Sequence, residues 1–222
     1  VPEPNNVNLG DTVFLMPCRA GNTTLKLMVW LSRFGVPIDN MAKERKLDYH
    51  IHSTQGRFDY IALKDIDRSK QLVVGLMREP YARALSMWGF SGVKVSFEIW
   101  LRDLGKDLGS NQHVRTQAAE FMLDGKLLPH VMIYLEHIEE DFAALCRLKR
   151  WTYVPPPAYR NTLEESKFTR RDPMVGNVAR AREHLFSHYA VDFVLYRLLW
   201  DRRVANVTYD GLPLGWGVSW GR

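Results

Sequence analysis

Two short, unbroken apolar runs constrain this chain more than any other feature. Thr12 to Met16 (TVFLM) and Leu72 to Met77 (LVVGLM) each pass straight into a turn and then into a helical pattern. Runs of this length without polar alternation read as strands buried on both faces. After the first run come Pro17-Cys18-Arg19-Ala20-Gly21-Asn22, with Thr23-Thr24 as helix-start residues. Leu25, Met28, Val29 and Leu31 then recur at helical spacing until Gly35 stops the helix. After the second run, Arg78-Glu79 turn the chain and Pro80 stands where a first helical residue is favoured. Tyr81 to Trp88 continues as helix. His130 to Leu135 (HVMIYL) predicts a third strand, followed by a helix from Glu139 to Lys149. Met174 to Leu199 predicts the longest helix, its large apolar face packed into the core. Strands alternating with helices imply an α/β domain, a central parallel sheet with helices on both faces. Ligands of such sheets sit at the carboxyl ends of the strands, where both loops lie.

The 222 residues fit one domain, with residues 1–10 expected to be flexible and 201–222 to form a C-terminal extension. No stretch reaches the length of apolar sequence that a membrane-spanning helix needs. The opening VPEPNNVNLG lacks the basic-then-apolar pattern of a signal peptide. The net charge of +5 suits an anionic ligand and leaves nucleic acid, a nucleotide and an acidic polysaccharide open. Two cysteines, Cys18 and Cys146, provide neither a disulfide framework nor metal-ligand spacing, and no metal is expected.

A loop that enters a helix offers backbone N–H groups without intrahelical partners and the positive end of the helix dipole. In the first loop Gly21 permits close backbone approach, Thr23 and Thr24 add hydroxyls, and Arg19 adds a fixed charge with planar donors. This suits a phosphate or sulfate, although the G-x-x-x-x-G-K-[ST] pattern of nucleotide triphosphatases is absent. A plain strand-to-helix turn capped by Thr23 explains the loop equally well. The second loop, Arg78-Glu79-Pro80-Tyr81-Ala82-Arg83-Ala84-Leu85-Ser86, sets Arg78 at a strand end and Ser86 about two helical turns on. The two are expected to grip one phosphate.

Together these loops resemble the cofactor loops of sulfotransferases, in particular the Golgi-type carbohydrate enzymes. CRAGNTTLK is similar to their 5′-phosphosulfate loop and REPYARALS to their 3′-phosphate loop, over roughly residues 12–200 of this chain. The resemblance implies a nucleotide-kinase-like P-loop fold and the donor 3′-phosphoadenosine-5′-phosphosulfate, with adenosine 3′,5′-bisphosphate as product. It implies that Arg19, Ala20, Gly21, Asn22, Thr23 and Thr24 hold the 5′-phosphosulfate and that Arg78 and Ser86 hold the 3′-phosphate. Lys167 and Arg170 fall where the family has a basic loop over the cofactor, although such a charge run also reads as a solvated face. Arg19 stands where the family usually has Lys. It keeps the electrostatic role and is a poor proton donor, because a guanidinium is in effect always protonated. Cys18 replaces a usual proline and reads as a small, half-buried filler.

Transfer to a hydroxyl needs a base, which the imidazole pKa suits. Tyr49-His50-Ile51-His52 resembles the Tyr-His-x-His segment of uronosyl 2-O-sulfotransferases, which implies His52 as the base. His113, in Asn111-Gln112-His113-Val114-Arg115-Thr116-Gln117, is the rival base, in a stretch that resembles the family's acceptor lining and reads otherwise as a polar helix start. The expected acceptor is a carbohydrate hydroxyl. The compartment is the cytoplasm if the chain is complete, or the Golgi lumen if an anchor has been removed. Two other readings stand beside this one. A nucleotide or small-molecule kinase of similar fold requires a Mg²⁺-holding carboxylate at a strand end. A basic nucleic-acid-binding module requires Lys and Arg interleaved with aromatics along one element, whereas the basic residues here fall mostly in loops and on helix faces, so no nucleic-acid partner is expected.

Overall fold

The computed structural model describes residues 5–35, 58–104, 113–155 and 176–207. Its centre is a sheet of β1 (Asn6–Asn8), β2 (Thr12–Leu15), β3 (Asp59–Tyr60), β4 (Leu72–Met77) and β7 (Val131–Tyr134), in the order β3-β1-β2-β4-β7. A separate hairpin joins β5 (Met122–Leu123) to β6 (Lys126–Leu127). The helices are α1 (Asn22–Phe34), α2 (Pro80–Ser91), α3 (Phe97–Asp103), α4 (Gln117–Phe121), α5 (Ile138–Lys149) and α6 (Val178–Leu198).

The three apolar runs are the three parallel strands. Val13 pairs with Val73 and Val74 with Val131, and every residue of β2, β4 and β7 is buried. Alternate side chains serve opposite faces. Phe14, Val74, Leu76, Val131 and Ile133 pack with Leu25, Met28, Phe142 and Leu145 of α1 and α5. Val13, Leu15, Val73, Met77, Met132 and Tyr134 pack with Phe121, Leu128, Leu199 and the end of α6. Gly75 leaves room for the second layer, since a Cβ there would lie 2.8 Å from the sulfur of Met132.

The sheet is mixed, which corrects the expectation of a parallel one. β1 and β3 add antiparallel strands beyond β2. Asn6–Asn8 thus belongs to the sheet, although it falls in the segment expected to be flexible; Val7 is buried in the α1 side of the core. The chain after residue 200 also packs onto the sheet as far as it is described. Val204 N–H donates to the Met132 carbonyl, and Arg203 pairs with the buried Asp141.

Glu79 caps α2 by accepting from Ala82 N–H, with Pro80 in the first turn. α1 is capped by Gly21 in a left-handed conformation without a side-chain bond, so Thr23 and Thr24 lie within the first turn and the expected Thr23 cap is replaced. α6 is the longest helix, and it bends at Tyr189. Its apolar residues are only partly core, because Phe186, Val191, Val194 and Leu198 are exposed. Among the described residues no helix is long and apolar enough to cross a membrane.

Candidate functional site

The carboxyl ends of β2 and β4 place residues 16–21 and Arg78-Glu79 side by side, as parallel pairing of adjacent strands requires. In the first loop Ala20 N–H closes a turn on the Pro17 carbonyl. Arg19 takes a left-handed backbone with φ 66°, and Gly21 follows at φ 98°. Leu25 N–H closes the first bond of α1 on the Gly21 carbonyl. The N–H groups of Asn22, Thr23 and Thr24 therefore precede the first backbone bond of the helix.

Not every residue of this loop faces outward. The Asn22 side chain is buried and donates to the Met16 carbonyl at 3.2 Å and to Asn5 Oδ1 at 3.1 Å, so it ties the loop down. Ala20 is fully buried. The space above Gly21 is filled by Leu135 at the end of β7, where an added Cβ would meet Leu135 Cδ1 at 2.5 Å. Cys18 is buried and receives a bond from Asn5 Nδ2; burial pushes its thiol pKa up, in keeping with a filler. Arg19, Gly21, Thr23 and Thr24 remain partly exposed.

The second loop binds the first. Arg78 Nη1 donates to the Arg19 carbonyl at 3.3 Å. The Arg78 backbone is clamped by Gln117, which accepts from its N–H and donates to its carbonyl, both at 2.9 Å. Gln117 is held in turn by Asp192 of α6, which accepts the N–H groups of Gln117 and Ala118 at 2.9 Å. Glu79 N–H donates to Glu136 at 2.9 Å, just beyond β7. Glu136 is thus a carboxylate at a strand end, the group that the kinase reading asked for and that the sequence did not single out. Ser86 lies in α2 almost one turn after Arg83 and is buried.

Arg19 and His113 meet at one ring. The Arg19 guanidinium lies 3.2 Å from the Phe90 centroid, and the imidazole of His113 is 5.4 Å from that ring. Burial, with Arg78 acting in the same direction, lowers Arg19 to about 10. Burial and then the charges of Arg19 and Arg83 hold His113 below the usual imidazole range. Arg19 is therefore a cation and His113 a neutral imidazole near pH 7, the states that charge stabilisation and proton acceptance require. His113 lies in the turn that leads into α4, and the stretch ends, as a polar helix start does, with Thr116 capping that helix. Lys26, one turn into α1, is buried and brought down to about 8 by that burial; its Nζ lies 5.2 Å from the Tyr60 ring.

The side chains that organise the site carry no functional signal of their own in the sequence. Arg83 is a letter of the second motif and Gln117 part of the His113 stretch, whereas Phe90 lies beyond the helix expected from Tyr81 to Trp88. Asp192 carried one signal, an acid between Val191 and Phe193 in an apolar stretch of helix. His50, His52, Lys167 and Arg170 lie outside the described residues. Among the described residues no group of three or more His, Cys, Asp or Glu side chains is placed to hold a metal ion. A separate groove of about 780 Å³ runs between the start of α2 and α6, lined by Glu79, Tyr81, Arg182, Phe186 and Phe193 among others. Tyr81 is roughly half a turn from Arg83, so the groove opens on the opposite side of α2 from the Arg19 loop. Comparison with protein-family models, curated proteins and solved structures finds no match to this chain.

Proposed function

We propose that this chain is a sulfotransferase of nucleotide-kinase-like P-loop fold that acts on a hydroxyl, with a carbohydrate as its acceptor. The reading is supported above all by the bond from Arg78 to the Arg19 carbonyl, which joins two basic loops at adjacent strand ends. Two cationic loops at one place suit a ligand with two separated anionic groups, and 3′-phosphoadenosine-5′-phosphosulfate is such a ligand. When bound, the donor supplies the sulfuryl group and leaves as adenosine 3′,5′-bisphosphate. Arg78 holds the 3′-phosphate. The N–H groups at the start of α1 and the Arg19 guanidinium hold the 5′-phosphosulfate and stabilise the charge that grows on the leaving phosphate.

The acceptor oxygen bonds to sulfur as the bond from sulfur to the phosphate oxygen breaks, and the hydroxyl proton passes to an imidazole. The resemblance to uronosyl enzymes assigns that imidazole to His52; the neighbourhood of Arg19 favours His113. The side chains of Asn22 and Ala20 serve the loop's shape, and Ser86, buried in α2, keeps the 3′-phosphate role beside Arg78 that the resemblance implies. Lys167 and Arg170 keep the covering role that the resemblance implies.

The test is transfer of labelled sulfate from the donor to polysaccharides containing uronic acid, with a thermal-shift screen against adenosine 3′,5′-bisphosphate, ATP and NAD. The bisphosphate at about 100 times its dissociation constant adds roughly 2.7 kcal/mol of stability. Stabilisation by ATP with Mg²⁺ alone would favour the kinase reading and Glu136. Removing the true base lowers turnover by about 10²–10⁴-fold, so His52→Ala and His113→Ala compared side by side identify it.

A further inference from the structure

Arg83 is among the most deeply buried large side chains of the protein, at 1% exposure. Each arm of its guanidinium is engaged with a different segment. Nε donates to the Cys18 carbonyl at 2.9 Å, one residue before Arg19. Nη2 donates to the Arg115 carbonyl at 2.8 Å, two residues after His113. Nη1 faces Asp192 at 3.7 Å, both side chains being buried. We infer that Arg83 is a positioning residue that fixes Arg19 relative to His113. The inference rests on the sulfotransferase reading for its activity arm alone.

The first loop leaves β2, and the His113 turn belongs to the crossover between β4 and β7, so the sheet itself does not set the distance between them. Arg83 joins both through one rigid planar fork. A lysine cannot reproduce this, because a single ammonium lacks the fixed angle between donors. Phe90 completes the arrangement two turns further along α2, where its ring receives Arg19 from one loop and His113 from the other. The Asp192 charge offsets the cost of burying the guanidinium, and its carboxylate also seats Gln117 under Arg78. Arg83 therefore serves the Arg19–His113 pair, while Asp192 reaches Arg78 as well.

The test compares Arg83→Lys with Asp192→Asn by NMR and kinetics. A proton above an aromatic ring is shifted upfield, so the Arg19 Nε–H resonance reports its seat on Phe90 without any substrate. Arg83→Lys keeps the charge opposite Asp192 but releases the carbonyls. It is expected to return that resonance toward its unshifted position and to lower kcat by about 10²-fold, with a much smaller change in donor KM. Asp192→Asn is expected to lower Tm and weaken donor binding while leaving the Arg19 resonance shifted. An unmoved Arg19 resonance in Arg83→Lys would overturn the assignment, as would its loss in both variants alike. In the wild-type protein the Arg83 Nε–H must exchange with solvent as slowly as core amides; fast exchange would overturn it even if Arg83→Lys failed to fold. A protein that passes the NMR arms and transfers no sulfate would keep the positioning role and lose the sulfotransferase reading.

Discussion

Arg78 reaches across from the end of β4 and donates to the carbonyl of Arg19 at 3.3 Å. The bond joins two cationic residues through a neutral group. It holds the loops together although the two guanidinium charges repel, and that repulsion contributes to the lowered pKa of Arg19. An anion bound between them would relieve the repulsion, as the proposed function requires.

Gln117 controls Arg78 from behind. Gln117→Ala removes two bonds to the partly buried backbone of Arg78. Stability is expected to fall by about 1–3 kcal/mol. Affinity for adenosine 3′,5′-bisphosphate is expected to fall more than affinity for adenosine 5′-phosphate. Urea unfolding measures the first effect and calorimetry the second. Equal losses for the two nucleotides would mean that Gln117 does not act through Arg78.

Gly21→Ala brings two separate penalties. The new Cβ sits 2.5 Å from Leu135 Cδ1, and φ is 98°. The backbone part alone costs about 1–3 kcal/mol. The double variant Gly21→Ala with Leu135→Ala removes the steric part and keeps the backbone part, so the Gly21→Ala penalty is expected to be smaller in the Leu135→Ala background. Thermal denaturation of the four proteins checks this; a Gly21→Ala that melts like the wild type contradicts it.

The sequence disclosed those parts of the fold that rest on local pattern. β2, β4 and β7 are buried on both faces and so appear as apolar runs, and Pro80 and Gly35 mark helix boundaries. β1 and β3 are short and carry Asn6, Asn8 and Asp59; only pairing with neighbours makes them strands, and no periodicity announces that. Arg19, Gly21 and Arg78 were legible in the site because each stands at a strand end or helix start. Arg83, Gln117 and Asp192 act through partners far away in sequence, so their roles appear only once the chain is folded. Asn22 shows how a loop residue can serve the loop itself, since its side chain bonds the Met16 carbonyl, a partner that only folding brings to it.

Arg19 disfavours the charged form of His113, so its removal must raise the His113 pKa. In Arg19→Met the His113 titration, followed by NMR, is expected to move upward from its position below the ordinary value near 6.5. If His113 is the base, the acidic limb of the rate profile moves to higher pH with it. A downward shift would contradict the charge relation.

His130 predicts an acid-sensitive fold. Its Nδ1 accepts the Val73 N–H at 3.0 Å, and burial, helped by Arg68 and Arg202, lowers its pKa to about 4. The unfolded chain, with an imidazole pKa near 6.5, binds more protons between these values. Stability is therefore expected to fall as pH drops from about 6.5 toward about 4. Denaturant unfolding across this range is the measurement, and His130→Gln is expected to remove His130's share of the slope. A variant as pH-dependent as the wild type would exclude His130 as a source.

The most direct test of the central claim is calorimetric titration of adenosine 3′,5′-bisphosphate and adenosine 5′-phosphate into the wild type and Arg78→Ala. The account predicts that the wild type binds the bisphosphate more tightly. Arg78→Ala is predicted to lose about 1.5–3 kcal/mol of bisphosphate binding, with adenosine 5′-phosphate affected far less. Equal affinity of the wild type for both nucleotides, or equal losses in the variant, would contradict it.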